Sequence, residues 1–317
     1  MVNIESTLPN YEQAMKTIQC YSLHYNYTYI LLNEDRFPEF GINCKQKDFM
    51  FRRHCLLSNF AQHFEKEIKY IIFIDGDMGV VNPLHRLEEY LPKNEEEVIF
   101  YDRTFNYEIM AGSYIIKNNF YSRNFINYFA DYEFKVPEGN DGTDNVALQP
   151  VFLDLIGATK YVRKYQRCLE IYNKAVGFDQ NMILVSCIRH ILNLIDETPT
   201  DPDYHTYDNG KIKIIRKLSL KRWARDTWLN NWLFCDNDFF HHGWKTEEIV
   251  KHSNIFLTKF NSTKEFCKSS NFLQAWDYNM SSKVSCEEVN AKIKLYVESA
   301  HNSHLNNLNS SRVLEIS

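Results

Sequence analysis

The chain has 317 residues, of which 44% are hydrophobic and 24% charged, with a formal net charge of −5. This composition is typical of globular proteins and excludes a mainly disordered chain. The acidic balance disfavours nucleic acid or an anionic membrane as the main partner. No run approaches the roughly 18 apolar residues that a transmembrane helix needs, so no transmembrane segment is expected.

The hydrophobic pattern alternates between helical and strand periodicity in chain order. It predicts helices over residues 10–25, 46–66, 119–132, 144–157 and 178–194, and strands over 27–32, 70–74, 97–101, 111–117 and 211–216. Strands that alternate with helices predict parallel pairing, hence an α/β fold with a mainly parallel central sheet flanked by helices. Residues 198–209 are predicted to form a loop. Beyond about residue 250 we expect weak helices at best, with a mobile stretch over 303–317.

The cysteines and the N-terminus leave the cellular compartment open. Eight cysteines permit disulfides of unknown pairing, and the lack of a C-x-x-C motif argues against a cysteine-based zinc site. Residues 1–5 show no basic and then apolar pattern, so no signal peptide is expected. Four N-x-[ST] sequons favour a secreted context only mildly, at Asn26, Asn261, Asn279 and Asn309.

The strongest motif is an apolar run over residues 70–74 that ends at Asp75, Gly76 and Asp77. Open α/β sheets bind ligands outside the carboxyl ends of their strands. Two carboxylates around a glycine turn can bind one divalent cation through hard oxygen ligands. The motif in this context favours a metal site for a nucleotide diphosphate over a solvated turn.

A second motif, residues 238–245, reads Asp-Phe-Phe-His-His-Gly-Trp-Lys. Either His241 or His242 would add a nitrogen ligand to a metal held by carboxylates. Gly243 would let the backbone approach a ligand, and Lys245 would place a point charge on a phosphate. Taken alone, the motif favours an aromatic core strand with two ordinary histidines.

Three weaker motifs each have two interpretations. At the start of the helix over 144–157, Thr143 or Asp144 predicts an N-cap, whereas Asp144 and Asn145 would alternatively contact sugar hydroxyls. In residues 51–55, one of two adjacent arginines would face solvent and the other a diphosphate, since neighbours cannot share a helix face. In residues 222–228, tryptophan beside Arg and Asp suits a sugar face, although tryptophan in a core is commoner.

Other chemistries fit the sequence poorly. It contains no G-x-G-x-x-G, P-loop or G-x-S-x-G motif. His54 and Cys55 are adjacent on a predicted helix and diverge, so they do not form a catalytic dyad. A glycosidase needs two carboxylates across a sugar, whereas Asp75 and Asp77 are better placed for one cation.

Taken in order, the motifs at 75–77, 111–118, 143–145 and 242–245 resemble those of GT-A glycosyltransferases. The same order occurs in the glycogenin type and in the yeast galactosyl/mannosyl and plant xylosyltransferase types. Residues 48–55, 79–83 and 223–226 more closely resemble a nematode family that is glycosyltransferase-like and was long described only as a domain of unknown function. The resemblance covers about residues 8–250.

The resemblance implies a Rossmann-like nucleotide-diphospho-sugar transferase fold, a UDP-sugar donor, and Mn²⁺ or Mg²⁺ as the metal. Asp75, Asp77 and His242 would bind the metal, and Asp75 would also face the ribose. Lys245, with Gly243, would bind the diphosphate. Asp144 and Asn145 would act at the donor sugar, and Arg53 or His54 would lie near donor and phosphate.

The sequence therefore predicts a metal-dependent glycosyltransferase that moves a hexose or pentose from a UDP-sugar to a glycan or glycoprotein, with retention of configuration. Alternatives are a catalytically degenerate sugar- or nucleotide-binding protein, a nucleotidyltransferase, and a hydrolase of phosphate esters. The expected organisation is a GT-A domain over 1–255, with a nucleotide half over 10–105 and an acceptor half over 106–255, followed by an extension over 256–317. The family resemblance implies the secretory pathway or Golgi, with the cytoplasm as the alternative.

Overall fold

The computed structural model describes residues 5–157, 159–252 and 255–316. The chain forms two compact units that are interleaved along the sequence. This division differs from the predicted halves over 10–105 and 106–255, and residues of the predicted extension occur in both units. Unit 1 comprises Met1–Arg36, Ile74–Tyr90 and Leu220–Tyr296, and unit 2 comprises Phe37–Phe73, Leu91–Ser219 and Val297–Ser317.

The described strands are short, three to five residues each, and most of the described helices are longer. In chain order the strands are β1 Tyr70–Ile74, β2 Met78–Val80, β3 Val98–Tyr101, β4 Ser113–Lys117, β5 Tyr204–Tyr207, β6 Ile212–Ile215, β7 Ala224–Asp226 and β8 Phe240–His242. The α-helices are α1 Glu12–Tyr25, α2 Phe49–His63, α3 Phe120–Asp131, α4 Thr143–Ile156, α5 Val162–Tyr172, α6 Phe178–Leu194, α7 Thr246–His252, α8 Lys264–Lys268 and α9 Cys286–Ser311.

The larger sheet has the order β1-β4-β3-β6-β5. Strands β3 and β6 are parallel, whereas β4 is antiparallel to β3 and β5 is antiparallel to β6. The predicted α/β class is confirmed, but a mainly parallel sheet is not. The physical reason lies in the connections, because residues 102–112 between β3 and β4 contain no described helix, and a short link suits antiparallel neighbours.

Strand β5 lies inside the segment that the sequence predicted to be a loop. It pairs with β6 in a hairpin whose turn contains Asp208, Asn209 and Gly210, all with positive φ. These residue types tolerate the left-handed region that tight hairpins require. The turn-rich composition that predicted a loop thus belongs partly to a hairpin.

The smaller sheet, in unit 1, has the order β2-β8-β7, with β8 antiparallel to β2 and parallel to β7. Helix α1 attaches to its edge, where the Val80 amide donates to Thr17 Oγ1 at 2.9 Å. Each of its strands has only three residues. A hydrophobic cluster in the same unit contains Ala14, Val81, Trp232, Phe234, Trp244 and Ile255.

Five predicted helices are confirmed as α1, α2, α3, α4 and α6, but α5, α7 and α9 were not predicted. Side chains cap two of the predicted ones, since Asp48 accepts from the Met50 amide and Asn119 from the Ser122 amide. The expectation of weak helices beyond residue 250 is wrong for α9, which has 26 residues. Asn and Ser lower its intrinsic propensity. Its buried residues nevertheless recur at helical spacing, at Val289, Ile293, Ala300, His304 and Leu308.

The predicted strand over residues 27–32 is wrong, since no regular element is described there. Leu31 and Leu32 are buried without strand pairing. Pairing depends on a distant partner, so an apolar run alone cannot establish it. Residues 1–4, part of the segment where no signal peptide was expected, lie outside the described residues.

All eight cysteines are paired in disulfides. The sequence left the pairing open because the partners lie up to 247 residues apart. Among the described helices, none is long and apolar enough to cross a membrane. The pairs are Cys20–Cys267 and Cys235–Cys286 in unit 1, and Cys44–Cys55 and Cys168–Cys187 in unit 2.

Candidate metal centre

Three predicted metal ligands converge in unit 1. Asp75 and Asp77 follow β1, and His242 ends β8. One ligand atom from each lies within 4.8 Å of the other two. His242 Nε2 is 3.4 Å from Asp77 Oδ1 and 3.8 Å from Asp75 Oδ2. The structure thus brings together the trio that the sequence named for one cation.

Strand register explains this convergence. In the small sheet His242 is opposite Met78 of β2, so it lies beside the Asp75–Asp77 turn. Two backbone hydrogen bonds hold the turn: the Met78 amide donates to Asp75 O at 3.1 Å, and the Trp244 amide to Asp77 O at 2.8 Å. The carboxylates are therefore attached to a hydrogen-bonded backbone.

The two adjacent histidines have different surroundings, because successive strand side chains point to opposite faces. His241 is fully buried against the edge of the Trp244 ring, with Nε2 3.8 Å from Asp238 Oδ2. Burial, together with the Arg225 charge, lowers the pKa of His241 to about 4. His242 keeps 16% of its side chain exposed. His242 is therefore the histidine that faces Asp75 and Asp77, and His241 is a core residue.

Asp226, at the end of β7, orients His242. Its Oδ1 lies 2.7 Å from His242 Nδ1, and the parallel register places the two residues side by side. A carboxylate on Nδ1 keeps that nitrogen protonated in the neutral ring and directs Nε2 towards Asp75 and Asp77, where its lone pair would be available to a cation once the ring is neutral. The sequence motif contained Asp226 but indicated a sugar contact, so this role was missed. Only the β7–β8 register reveals it.

The electrostatics of the cluster favour a cation. Burial opposes a charged imidazole, yet hydrogen bonds to Asp226 and Asp77 raise the pKa of His242 to about 10. Burial likewise opposes ionisation of Asp77, but the hydrogen bond and charge of His242 and the charge of Lys245 lower its pKa. Three carboxylates around one imidazole thus favour a positive charge at this position, which the protonated ring supplies in the free protein and which a metal would supply by displacing the Nε2 proton. Oxygen and imidazole donors in that field fit a divalent metal such as Mn²⁺.

Gly243 and Lys245 extend the site along the chain. Gly243 has φ +96°, a conformation that favours glycine, and an added Cβ would lie 3.3 Å from Thr227 Oγ1. That hydroxyl donates to His242 O at 2.9 Å. The Lys245 side chain is exposed. The predicted point charge is therefore accessible to a ligand.

The remaining predicted site residues, Arg53, His54, Asp144 and Asn145, belong to unit 2, and the first three form a buried group. Asp144 Oδ2 accepts from Arg53 at 2.6 Å and is 3.2 Å from His54 Nε2. All three side chains are buried, and the other ring nitrogen of His54 is 2.8 Å from the Tyr114 hydroxyl. Burial opposes ionisation of Asp144, but Arg53 and His54 lower its pKa. Asn145 is partly buried and accepts from the Ala111 amide at 3.2 Å.

This group changes three expectations. Asp144 has no exposed surface in the structure, so it presents no atom to a sugar. Arg53 binds this carboxylate, while Arg52 donates to backbone carbonyls, including Gln46 O at 2.9 Å. The predicted N-cap by Thr143 or Asp144 is wrong, because Gly142 occupies the cap position and no side chain caps α4.

The fold and the cluster define a mixed α/β protein with a candidate divalent-metal centre. The chain belongs to the family described as "Protein of unknown function, DUF273", whose sequence model matches residues 18–259. No curated protein and no solved structure matches the chain. The matched residues include Asp75, Asp77, Asp226 and His242.

Proposed function

We propose that this protein is a metal-dependent glycosyltransferase of the GT-A type. It transfers a hexose or pentose from a UDP-sugar to a glycan or glycoprotein acceptor, with retention of configuration. The observation that carries the proposal is the convergence of Asp75, Asp77 and His242. The ordered motifs that resemble GT-A enzymes support it from the sequence.

Asp75, Asp77 and His242 would hold the cation, and Asp226 would keep His242 Nε2 directed at it. A bound Mn²⁺ or Mg²⁺ would supply charge neutralisation for a departing diphosphate. Lys245 would add a second positive charge from the exposed surface beside Asp77. Electrostatic stabilisation of a leaving diphosphate needs no proton transfer. The residues therefore suit departure of a nucleotide more than hydrolysis by an activated base.

The disulfides bear on the compartment. Four disulfides, including the long-range Cys20–Cys267 and Cys235–Cys286, are typical of proteins that fold in an oxidising environment. They favour the secretory pathway over the cytoplasm.

Calorimetric titration of UDP tests the proposal. Binding should require Mn²⁺, should be abolished by EDTA, and should be lost in Asp77→Asn. The matched control is Asp277→Asn, which changes an exposed aspartate of the same unit. Circular dichroism would verify that each variant is folded. UDP binding that does not depend on Mn²⁺ would contradict the UDP-donor proposal. An absence of UDP binding by folded protein would contradict it as well.

A second candidate is a degenerate GT-A-like protein that binds a nucleotide or sugar without turnover. The burial of Asp144 against Arg53 and His54 favours it, since the residue expected at the donor sugar is engaged in an internal ion pair. Release of UDP from a panel of UDP-sugars separates the candidates. An enzyme releases UDP in the presence of an acceptor, whereas a binding protein only retains the nucleotide.

A further inference from the structure

A short turn directly after β7 carries an exposed tryptophan. The 3-10 turn Thr227–Asn230 begins one residue after Asp226. Trp228 in this turn is 44% exposed. The other four tryptophans of the sequence, Trp223, Trp232, Trp244 and Trp276, are at most 8% exposed. Of the two tryptophans in the 222–228 motif, Trp223 is thus a core residue and Trp228 lies at the surface.

The turn holds Trp228 in a defined position. Its other residues, Thr227, Leu229 and Asn230, are each at most 1% exposed. The chain then turns back, because the Trp232 amide donates to Thr227 O at 3.1 Å. The ring of Tyr296 from α9 packs edge-on against the Trp228 ring, with centroids 5.5 Å apart and planes at 88°. The backbone hydrogen bond of the turn and the contact with the Tyr296 ring therefore both fix the position of the exposed indole.

The same turn is tied to the candidate metal centre. Asp226, which orients His242, is two residues before Trp228, and Thr227 Oγ1 donates to His242 O at 2.9 Å. A shift of the turn would move the residues that position His242. The aromatic surface and the metal cluster thus belong to one hydrogen-bonded segment.

We propose that Trp228, supported by Tyr296, is a platform for a pyranose ring of the acceptor glycan. This inference rests on the proposed function. An exposed indole offers a large, rigid apolar face. A pyranose ring has the complementary pattern, with C–H groups on a face and hydroxyls around the rim. Leaving such a face in water is unfavourable, and a bound sugar would cover it.

A neutral sugar fits this surface better than the charged part of a donor. The diphosphate has its own complementary charges in Lys245 and the candidate cation. Trp228 and Tyr296 add no charge, so they would select for ring shape. A nucleobase also stacks on an indole, and protection by UDP alone would distinguish that ligand from a sugar.

Acrylamide quenching of tryptophan fluorescence provides a direct test, because Trp228 is far more exposed than the other four tryptophans. The probes are methyl pyranosides of glucose, galactose, mannose, xylose and N-acetylglucosamine, with UDP and Mn²⁺ saturating. We expect at least one glycoside to protect the quenchable component, and Trp228→Phe to abolish that component. Leu257→Ala, a change at an exposed apolar residue of the same unit, should leave the protection unchanged.

Each other outcome has a separate meaning. No protection by any pyranoside, in protein that binds UDP with Mn²⁺, would overturn the platform and leave the proposed function standing. Protection by UDP alone would assign Trp228 to the nucleotide and also overturn it. If UDP does not bind to the folded protein, the proposed function itself is contradicted. Saturation-transfer NMR on the same glycosides, with wild type and Trp228→Ala, gives the answer without fluorescence.

Discussion

His242 and Asp226 lie side by side on the adjacent parallel strands β8 and β7, with Nδ1 2.7 Å from Oδ1. The two nitrogens of the His242 ring therefore have different partners. Nδ1 contacts the Asp226 carboxylate, and Nε2 faces Asp75 and Asp77. Two of the four residues precede β2, and the others end two different strands. The cluster therefore exists only when the small sheet is formed.

Asp226 is expected to tune metal affinity without touching the metal. Asp226→Ala should weaken Mn²⁺ binding by about 10–100-fold, the usual cost of losing such a partner. Asp226→Asn should have a smaller effect, since its amide oxygen can still accept from Nδ1. Electron paramagnetic resonance of free Mn²⁺ measures the affinity. The control is Asp236→Asn, at an aspartate of the same unit that pairs with Lys283. Unchanged affinity in Asp226→Ala would refute the positioning role.

Gly79 is expected to be intolerant of a side chain. A Cβ there would lie 2.1 Å from Trp244 Cε3, and Trp244 is buried in the hydrophobic cluster. Gly79→Ala should lower the free energy of unfolding by about 1–3 kcal/mol, as overpacking does. Urea denaturation measures the loss. The clash involves the indole ring of Trp244. In a double variant that also carries Trp244→Phe, Gly79→Ala should therefore lower the free energy of unfolding by less than it does alone. Strict additivity of the two changes would contradict the packing argument.

The buried pair of Asp144 with Arg53 should make stability acid-sensitive. The folded-state pKa of Asp144 is lowered, so its contribution is present above the unfolded value of about 3.9 and lost as pH falls toward the folded pKa. At pH 7, Asp144→Asn should cost about 3–5 kcal/mol, because Arg53 would remain buried without its partner. Urea denaturation at neutral and acidic pH measures both effects. The variant should lose stability less steeply below about pH 4 than wild type. The exposed Asp179→Asn should resemble wild type.

The disulfides are expected to contribute unequally. Cys20–Cys267 spans 247 residues, whereas Cys44–Cys55 spans 11. Loop-closure entropy therefore predicts a larger loss for the paired Cys→Ala variant at the first bridge, by up to about 3 kcal/mol. The other bridges inside the long loop shorten it and reduce this difference. Guanidinium denaturation of the two double variants makes the comparison. An equal or reversed ranking would show that native-state strain or residual structure outweighs loop entropy.

Local sequence signals predicted much of the fold. Strand β1 lies at the predicted residues 70–74, although only Phe73 in it is fully buried. Helix α2 begins after its capping residue Asp48. The predictions from sequence were wrong where the conformation of a segment depends on contacts with a distant part of the chain. Residues 27–32 are β-branched, aromatic and aliphatic, but no strand is described there. The low-propensity helix α9 is helical because one of its faces is buried.

The amino-acid sequence by itself determined the local groups: an apolar strand that ends in Asp75 and Asp77, a histidine pair before Gly243, and the positions of five helices. The tertiary structure decided which of these groups meet. Strands of three residues carry too little pattern to be read locally, so the β2-β8-β7 register, the choice of His242 and its contact with Asp226 emerge only from pairing. The same holds for cysteines 247 residues apart. Spacing along the chain specifies conformation over a few residues, whereas contacts between remote segments depend on how the whole chain packs.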